Sequence, residues 1–491
     1  MSNIKTSANL RLDAKYDAFP YQAEAFAELK DLPYSAIFHE QGLGKTKIAI
    51  DLALYWLEKK DIDTVIVITK KQLINNWVNE LKTHTFIKPR ILDTRKGNNY
   101  TVLNSAAKII ITNFETIVSE FERLKLFLKS RAVATIIDES AKLKNPETKL
   151  TQTFFELSDL FKIKTIMSGT PVANRPYDMW AQIYFLDKGK SLGKSFDEFK
   201  KLTDLSNKLS VDSCAREQFE NTVGGIFEKI SSFSVRETKS SSGIQLPEKR
   251  YETVIAKFEN RQYILYKRIM EEMSVEIVKG EKVILDDDTE ALKRLLRLNQ
   301  VASNPRLIDE SYANVSGKEI ALDELLAEIL GRGEKCIVWS SYIDNINQFS
   351  RKYEMYNARR VHGSMSIEER NKSVDLFKND ETCKLLFATP QAAKEGLTLT
   401  VANNAIFYDR TFNLDDYLQA QDRIHRISQT KECSIYNIIM ENSIDQWIEA
   451  LLNAKQYAAF LAQGDISIAE YEQQADYSYG EIIKEILMEG N

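Results

Sequence analysis

The chain of 491 residues is too long for one hydrophobic core and predicts two domains. Its 43% hydrophobic and 28% charged residues are typical of a globular protein, and no run approaches the ~18 consecutive apolar residues of a membrane helix. The formal net charge of −5 neither predicts nor excludes nucleic-acid binding, because a basic cleft can lie on an acidic body.

The cysteines argue against a disulfide framework or a zinc cluster. Cys214, Cys336, Cys383 and Cys433 lie far apart and form no CxxC pair, which favours a reducing compartment. Residues 1–18 lack the apolar core of a signal peptide. We therefore expect a soluble intracellular protein, cytoplasmic if its source is bacterial or viral, with no membrane partner and no structural zinc.

Short β-branched runs alternate with longer helical patterns in two sets, which indicates βα units and a parallel sheet in each half of the chain. Buried parallel strands read as continuous apolar runs, as these segments do. The first set is Ser35–Phe38, Val65–Thr69, Ile109–Thr112, Ala134–Ile137 and Thr165–Ser168, and the second is Cys336–Ser340, Leu385–Thr389, Ala405–Asp409 and Ser434–Ile439.

Charged helical patterns separate the two sets and follow the second. Within the separating region, KSSSGIQLPEK predicts a linker, because it is rich in serine and glycine and contains a proline. The expected boundaries are a first α/β lobe over 1–238 with a helical insertion near 187–238, a linker over 239–252, a second α/β lobe over 253–442 with a helical insertion near 253–330, and C-terminal helices with an acidic tail over 443–491.

The segment FHEQGLGKTKIAI, residues 38–50, lies between a predicted strand and a predicted helix, the context in which a glycine loop binds phosphate. Gly42 and Gly44 let backbone N–H groups approach phosphates at the positive end of the helix dipole. Lys45 is expected to reach the β- and γ-phosphates of ATP, and Thr46 to bind Mg²⁺. The strict motif has glycine where this chain has His39, and the alternative is a tight turn with an exposed lysine.

Two acids, Asp138 and Glu139, follow the predicted strand ATII. This arrangement suits a carboxylate that coordinates Mg²⁺ and a neighbour that polarises the attacking water. An isolated Asp-Glu pair is more often a solvated turn, but here the glycine loop lies upstream and favours the functional interpretation.

Further segments resemble, in order, the ATPase core of the Swi/Snf-type branch of superfamily-two helicases, over roughly residues 15–450. DEAD-box RNA helicases share the glycine loop and HGSM, but they lack QAQDRIHRISQ and the KNP after the acidic motif. The segments are PYQAEAF, VIVITKKQLINNWVNE, IIITNFETI, IIDESAKLKNPETK, SGTPVANRPYDMWAQIYFL, LLRLNQVASNPRLI, VHGSMSIEERNKSVDLF, ATPQAAKEGLTLT and QAQDRIHRISQT.

The resemblance implies two RecA-like lobes that bind ATP between them and close to push along duplex DNA. It assigns adenine recognition to Gln22 and arginine-finger roles to Arg423 and Arg426, which are three residues apart and expected on one helical face; without it, DRIHR reads as a charged helix turn. Further nucleotide contacts are assigned to Leu43, Gly396 and Gln419, and coupling of lobe closure to ATP is assigned to Ser168 and Thr170.

The chain departs from the family pattern at four places. Members usually have an acidic residue at His39, so the phosphate-facing features remain and the loop is expected to work. A histidine is usual at Ala141, and its loss is expected to alter coupling. The other two departures are Lys394–Glu395 in place of a glycine pair and Thr69–Lys70 in place of Cys-Pro.

DNA tracking requires contacts to the phosphate backbone that ignore base identity. Loops at the carboxyl edge of a parallel sheet form a shared rim for such contacts, although any single lysine among them is more often a solvated surface residue. The candidates are Lys70, Lys71, Thr112, Asn113, Lys142, Lys144, Gly363, Ser364 and Thr389. Trp77 and Trp180 are expected in the core rather than stacked on bases.

The sequence therefore predicts an ATP hydrolase, stimulated by double-stranded DNA, that translocates and remodels or displaces bound proteins, with ATP and Mg²⁺ as cofactors and a protein partner that supplies targeting. One alternative is a helicase that separates DNA or RNA strands, against which the KNP and SNPRL segments argue. The other is a nucleotide-gated interaction subunit without productive turnover, which only the departures at Ala141 and Lys394–Glu395 support.

Overall fold

The computed structural model describes residues 11–93, 96–172, 174–205, 208–243, 246–277, 289–393, 398–426, 428–478 and 482. The chain forms two compact units. Unit 1 comprises Met1–Asp204, Asn221–Ile244 and Leu461–Ile466, and unit 2 comprises Leu205–Glu220, Gln245–Phe460 and Ser467–Asn491. The chain thus returns to unit 1 after most of unit 2 is complete.

Unit 1 contains a parallel sheet of seven strands among the described residues, in the order β3-β4-β2-β5-β6-β1-β7. Its central strands are buried along their whole length, as their β-branched runs require. The strands are β1 (Tyr34–Ile37), β2 (Thr64–Thr69), β3 (Arg90–Ile91), β4 (Ile109–Asn113), β5 (Val133–Asp138), β6 (Ile163–Met167) and β7 (Ser234–Val235).

Unit 2 contains a second parallel sheet, of six strands in the described part of the chain, in the order β10-β11-β9-β12-β13-β8. Its hydrophobic core is formed by apolar side chains of these strands and of the surrounding helices, and it includes the fully buried Trp339. The strands are β8 (Lys249–Ala256), β9 (Cys336–Trp339), β10 (Arg359–Val361), β11 (Leu385–Ala388), β12 (Asn404–Phe407) and β13 (Cys433–Met440).

Helices connect most of the strands of each sheet, because parallel pairing requires crossover connections. In chain order they are α1 (Pro20–Leu29), α2 (Lys45–Lys59), α3 (Ile74–His84), α4 (Lys96–Leu103), α5 (Phe114–Ser119), α6 (Phe121–Ser130), α7 (Lys149–Leu157), α8 (Asp178–Asp187), α9 (Phe196–Thr203), α10 (Lys208–Val211), α11 (Ser213–Gly224), α12 (Ile226–Ile230), α13 (Asn260–Ile277), α14 (Thr289–Ser303), α15 (Gly317–Gly331), α16 (Ile343–Lys352), α17 (Ile367–Asn379), α18 (Pro390–Ala393), α19 (Leu414–Gln421), α20 (Ile444–Ala462) and α21 (Ile468–Gln474).

The predicted α/β class with two parallel-sheet lobes is confirmed, and all nine expected strands are present within two residues at each end. Four strands were not expected: β3, β7, β8 and β10. Strand β8 occupies the end of the predicted linker and the start of the predicted helical insertion. All of its residues except the last are exposed or half-buried, because it is an edge strand, and its sequence lacks a continuous apolar run.

No helix in the described ranges is long and apolar enough to cross a membrane.

Candidate nucleotide site

The strand ends of unit 1 bring the predicted motifs to one edge of the sheet. Ile37 pairs with Met167, and Met167 pairs with Asp138, so β1, β6 and β5 end at the same level. Ile68 pairs with Ile137, which places the end of β2 beside that of β5. The segments after these four strands therefore share the carboxyl edge, where ligands bind in open α/β sheets.

The phosphate loop leads from β1 into α2 through two glycines in left-handed backbone conformations, Gly42 at φ 90° and Gly44 at φ 68°. Glycine adopts this region without a steric penalty, so both positions demand it. Gln22 lies directly against Gly44: a Cβ added there would be 2.3 Å from its Nε2 atom. Gln22 and Tyr21 also donate hydrogen bonds to the carbonyl of buried Leu43, each over 3.2 Å.

The loop lysine, Lys45, is turned toward the loop. Its Nζ donates to the carbonyl oxygens of His39 at 2.8 Å and Glu40 at 3.2 Å. Burial lowers the pKa of Lys45 to about 8, although the charges of Glu139 and Asp138 oppose this effect. A buried ammonium bound to neutral carbonyls gains from an incoming phosphate, because charge-assisted hydrogen bonds are stronger. The loop therefore fits a polyphosphate.

The acidic pair lies at the end of β5. The Oδ2 atom of Asp138 accepts hydrogen bonds from Thr69 Oγ1 at 2.9 Å and Trp77 Nε1 at 2.8 Å. Burial and the adjacent charge of Glu139 raise the pKa of Asp138, so a cation bound there offsets an unfavourable charge. Thr46, the second residue of α2, is partly exposed. A carboxylate and a hydroxyl at this edge suit Mg²⁺.

Glu139 has a left-handed backbone, with φ 58°. This region is uncommon for residues other than glycine and concentrates at functional sites. The carboxylate Oε2 accepts a hydrogen bond from Lys70 Nζ over 3.1 Å. Thr69 and Lys70, the two residues that replace the usual Cys-Pro, therefore contact Asp138 and Glu139 respectively.

The segment after β6 links the acidic motif to the phosphate loop. Ser168 is buried, and its Oγ accepts the backbone N–H of Thr170 at 3.1 Å. Gly169 packs against the loop: a Cβ there would be 2.4 Å from Gln41 Cγ and 3.1 Å from Lys45 Nζ. Gln182 was not predicted. It accepts from Ser140 Oγ at 2.7 Å and donates to the Pro171 carbonyl at 2.8 Å, so it bridges the two motifs.

Two basic residues near the loop were also missed. Arg236, just past β7, donates to the carbonyl of Phe38 at 2.6 Å and forms an ion pair with Asp465. Lys239, the first residue of the predicted linker, is 8% exposed and pairs with Glu40 at 3.3 Å. Its Cε lies 4.0 Å from a Cβ built on Gly42. No sequence pattern marked either residue as part of the site, since Arg236 lies just before the predicted linker and Lys239 begins it.

In unit 2, Arg423 and Arg426 follow α19 rather than lie on it, because the helix ends at Gln421 and the chain continues through turns. The expectation of one helical face is therefore wrong. Arg423 is buried; Arg426 donates to Thr398 Oγ1 at 2.7 Å, and burial lowers its pKa. Gln419, on α19, donates to Asp415 at 2.7 Å. The predictions for Gly396 and for Lys394–Glu395 fall outside the described residues.

The candidate DNA contacts divide by exposure. Lys71 and Lys142 are exposed and Lys144 is half-buried, and Gly363 and Ser364 are exposed after β10. Three other candidates have buried side chains. Thr112 donates to the Leu92 carbonyl, and Asn113 caps α5 by accepting the Thr116 N–H. Thr389 is 4% exposed, and its backbone N–H donates a hydrogen bond to the Val361 carbonyl. The assignment of these three residues as DNA contacts stays a prediction.

Both tryptophans that the sequence assigns to the core are buried: Trp77 is 1% exposed and Trp180 is 4% exposed. Trp77 nevertheless has a polar role that its apolar neighbours did not reveal, because its indole nitrogen donates to Asp138.

Family models match most of the chain. The SNF2-related domain matches residues 32–307, and the helicase conserved C-terminal domain matches residues 317–428. The first match alone spans more than half of the chain, so the chain belongs to the SNF2-related family. The predicted resemblance is thereby confirmed, as is the prediction of a helicase-like ATP hydrolase at the level of the family.

Similar proteins include the ISWI chromatin-remodeling complex ATPase ISW1 of Saccharomyces cerevisiae (26% identity, 93% of this chain and 42% of the relative). The human lymphoid-specific helicase is 26% identical over 89% of this chain and 62% of its own length, and the putative ATP-dependent helicase/translocase YwqA of Bacillus subtilis is 28% identical over 85% and 45%. The chain thus spans less than two thirds of the length of these relatives.

Among solved structures, the Sulfolobus solfataricus SWI2/SNF2 ATPase core in complex with dsDNA is similar, with 24% identity, a TM-score of 0.43, and coverage of 94% of this chain and 98% of that one.

Proposed function

We propose that this protein hydrolyses ATP in response to double-stranded DNA, moves along the duplex, and remodels or displaces proteins bound to it. The observation that carries the proposal is the assembly of Lys45, Asp138 and Glu139 at one edge of the unit 1 sheet, beside a loop whose two left-handed glycines open its backbone to phosphate. Family membership supports the use of ATP.

Each residue of this edge has a distinct role in the proposed hydrolysis. The loop N–H groups and Lys45 bind the phosphates, and Gln22, packed on Gly44, positions the adenine end of the nucleotide. Glu139 orients the attacking water and accepts its proton. The arginine-finger roles that the family resemblance assigns to Arg423 and Arg426 belong to this proposal, and such a contribution is worth roughly 10³–10⁵ in rate where it is made.

Thr46 and Asp138 are the residues that would hold Mg²⁺. The bound ion supplies charge neutralisation of the phosphate oxygens. Thr69 and Trp77 fix the orientation of the Asp138 carboxylate through their hydrogen bonds, so the ligand is pre-organised before the metal arrives.

For DNA, the proposed contacts are the exposed or partly exposed polar groups after strand ends, namely Lys70, Lys71, Lys142, Lys144, Gly363 and Ser364. Such groups read the phosphate backbone without base identity, as a protein that tracks along DNA requires. The relatives include subunits of remodeling complexes. Because those relatives are parts of complexes, we propose that this chain also has a protein partner, which supplies its targeting.

The test is steady-state ATP hydrolysis with no nucleic acid, duplex DNA, single-stranded DNA or RNA, for the wild type and Lys45→Ala. The matched control is Lys59→Ala, at the exposed end of the same helix. We expect stimulation by duplex DNA in the wild type and the control, and loss of turnover in Lys45→Ala. ATP-dependent removal of a protein bound to duplex DNA then tests displacement.

Two results would redirect the proposal. Turnover driven by RNA or single strands, with strand separation, would identify an unwinding helicase. No turnover with any nucleic acid, together with unchanged biological activity of Lys45→Ala, would identify a binding subunit.

A further inference from the structure

The ion pair between Lys70 and Glu139 joins a candidate DNA contact directly to the proposed catalytic glutamate. Lys70 follows β2 and Glu139 follows β5, and their charged atoms are 3.1 Å apart. Lys70 precedes a short 3-10 turn, Lys71–Leu73, as its N-terminal cap residue, and the neighbouring Lys71 is exposed. The pair therefore joins a residue proposed for DNA binding to a residue proposed for ATP hydrolysis.

The pair is accessible from solvent on both sides. The Lys70 side chain is 22% exposed and that of Glu139 is 23% exposed. An ion pair with this exposure is screened by water and is weak, so a competing anion displaces one partner readily. Asp138 differs in this respect: its carboxylate is bound by the neutral donors of Thr69 and Trp77, and its pairing does not depend on Lys70.

We propose that Lys70 restrains Glu139 in the absence of DNA, and that a phosphate of the DNA backbone binds Lys70 in its place and releases the glutamate for catalysis. Lys70 is thus a positioning residue for the reaction as well as a DNA contact. The inference rests on the proposed function and gives it a mechanism of stimulation.

The chemistry of the released state follows from the roles of the groups. A water molecule forms a bond from its oxygen to the γ-phosphorus and gives its proton to the Glu139 carboxylate. The bond between the γ-phosphorus and the bridging oxygen of ADP breaks, and its electron pair stays on ADP. While Lys70 binds Oε2, that oxygen is directed at the ammonium and is not available to the attacking water.

Glu139 also has an uncommon backbone conformation, with φ 58° at the N-cap of the 3-10 turn Ser140–Leu143. Residues held in this region concentrate at functional sites. In this conformation its carboxylate Oε2 accepts the hydrogen bond from Lys70 Nζ.

The experiment compares ATP turnover by the wild type and Lys70→Ala in the absence and presence of saturating duplex DNA. We expect the rate of Lys70→Ala without DNA to rise roughly two- to five-fold, because an ion pair of this exposure contributes a free energy that corresponds to such a factor. The rate at saturating DNA should change little. The stimulation factor therefore falls, and the DNA concentration for half-maximal stimulation rises. Lys70→Arg, which keeps the charge, is expected to resemble the wild type.

Lys82→Ala removes an exposed lysine of the same unit, on α3, and controls for loss of a positive charge. It should leave both rates unchanged. A purely structural role of Lys70 would lower both rates together, and this result would overturn the inference, as would an unchanged DNA-free rate in Lys70→Ala.

The two proposals fail separately. If the wild type turns over ATP at a rate that DNA does not change, the proposed function fails, and the DNA-free rate of Lys70→Ala still decides whether Glu139 is restrained. If DNA stimulates the wild type and Lys70→Ala equally, from the same starting rate, the proposed function stands and the restraint is excluded. Absence of turnover in both proteins overturns both.

Discussion

Trp77 donates its indole N–H to Asp138 Oδ2 over 2.8 Å, from a side chain that is almost wholly buried. The contact makes one residue both a core element and a support for the proposed magnesium ligand.

Replacing Trp77 by phenylalanine keeps most of the apolar contact and removes the donor. Because that hydrogen bond lowers the pKa of Asp138, its loss should raise the pKa further, so less of the carboxylate is ionised at pH 7. We expect ATP turnover at limiting Mg²⁺ to fall roughly tenfold or more, the effect expected for loss of a hydrogen bond to a charged group. The acidic limb of the pH–rate profile should also move to higher pH. Trp56→Phe, whose indole donates to the Lys30 carbonyl, is the control and should keep the wild-type profile.

Gly169→Ala should disturb the phosphate loop. The added methyl group would lie 2.4 Å from Gln41 Cγ and 3.3 Å from the Gln41 backbone nitrogen, so the loop must shift. Overpacking of this kind costs about 1–3 kcal/mol, and we expect ATP to bind at least ~5-fold more weakly. Nucleotide titration measures this directly. Gly97→Ala, with no atom within 4 Å of the new methyl group, should bind ATP as the wild type does; equal affinities in both variants would contradict the packing seen here.

His39 should make stability depend on pH below neutrality. Burial, followed by the charges of Lys45 and Arg236, lowers its pKa to about 4, whereas an unfolded histidine has a pKa near ~6.5. Between these values the unfolded chain binds more protons than the folded one, so stability falls as pH falls from 6.5 towards 4. At pH 5 the loss is about 2 kcal/mol.

Urea unfolding at pH 5 and pH 7 tests this for the wild type and His39→Gln. The difference between the two pH values should be smaller in the variant by about that amount. Equal pH dependence in the wild type and the variant would refute the assignment.

Asp465→Ala should destabilise unit 1, because it leaves Arg236 largely buried without its carboxylate. The side chains of this pair are 9% and 13% exposed, and loss of one partner of such a pair costs about 3–5 kcal/mol. Asp13→Ala breaks an ion pair with Arg11 in which both side chains are more than 60% exposed, and it should change stability by less than ~0.5 kcal/mol. Chemical denaturation of both variants provides the comparison.

The sequence alone predicts the class of the fold because the interior strands of a parallel sheet need continuous apolar runs. VIVIT at residues 65–69 and ATII at 134–137 satisfy this need and read clearly. Strands β3 and β7, with two residues each, and the exposed edge strand β8 have no such requirement, so their sequences do not distinguish them from loops. A continuous apolar run therefore indicates that a strand is buried on both faces, and not merely that a strand forms.

The nucleotide site divides in the same way. Gly42, Gly44, Lys45 and Asp138 follow from local motifs, because the chemistry of phosphate and Mg²⁺ fixes their types and spacing. Residues that act on these groups from distant segments leave no local signal. Gln182 reaches Ser140 across 42 positions, and Trp77 reaches Asp138 across 61. Their partners are defined only when the strands pair.

The contact between Arg236 and Asp465 also orders events during synthesis of the chain. The two residues are 229 positions apart, so on the order of 20 s passes between their exit from a ribosome that adds roughly 10 residues per second. During this interval all strands of the unit 1 sheet have been synthesised. Arg236, which donates to the Phe38 carbonyl, still lacks its carboxylate partner, because Asp465 follows nearly all of unit 2 in the sequence. The first unit to be synthesised therefore acquires its full set of contacts only after nearly all of unit 2 has been made. Nascent chains halted before residue 465 should be more sensitive to proteases in unit 1 than released ones.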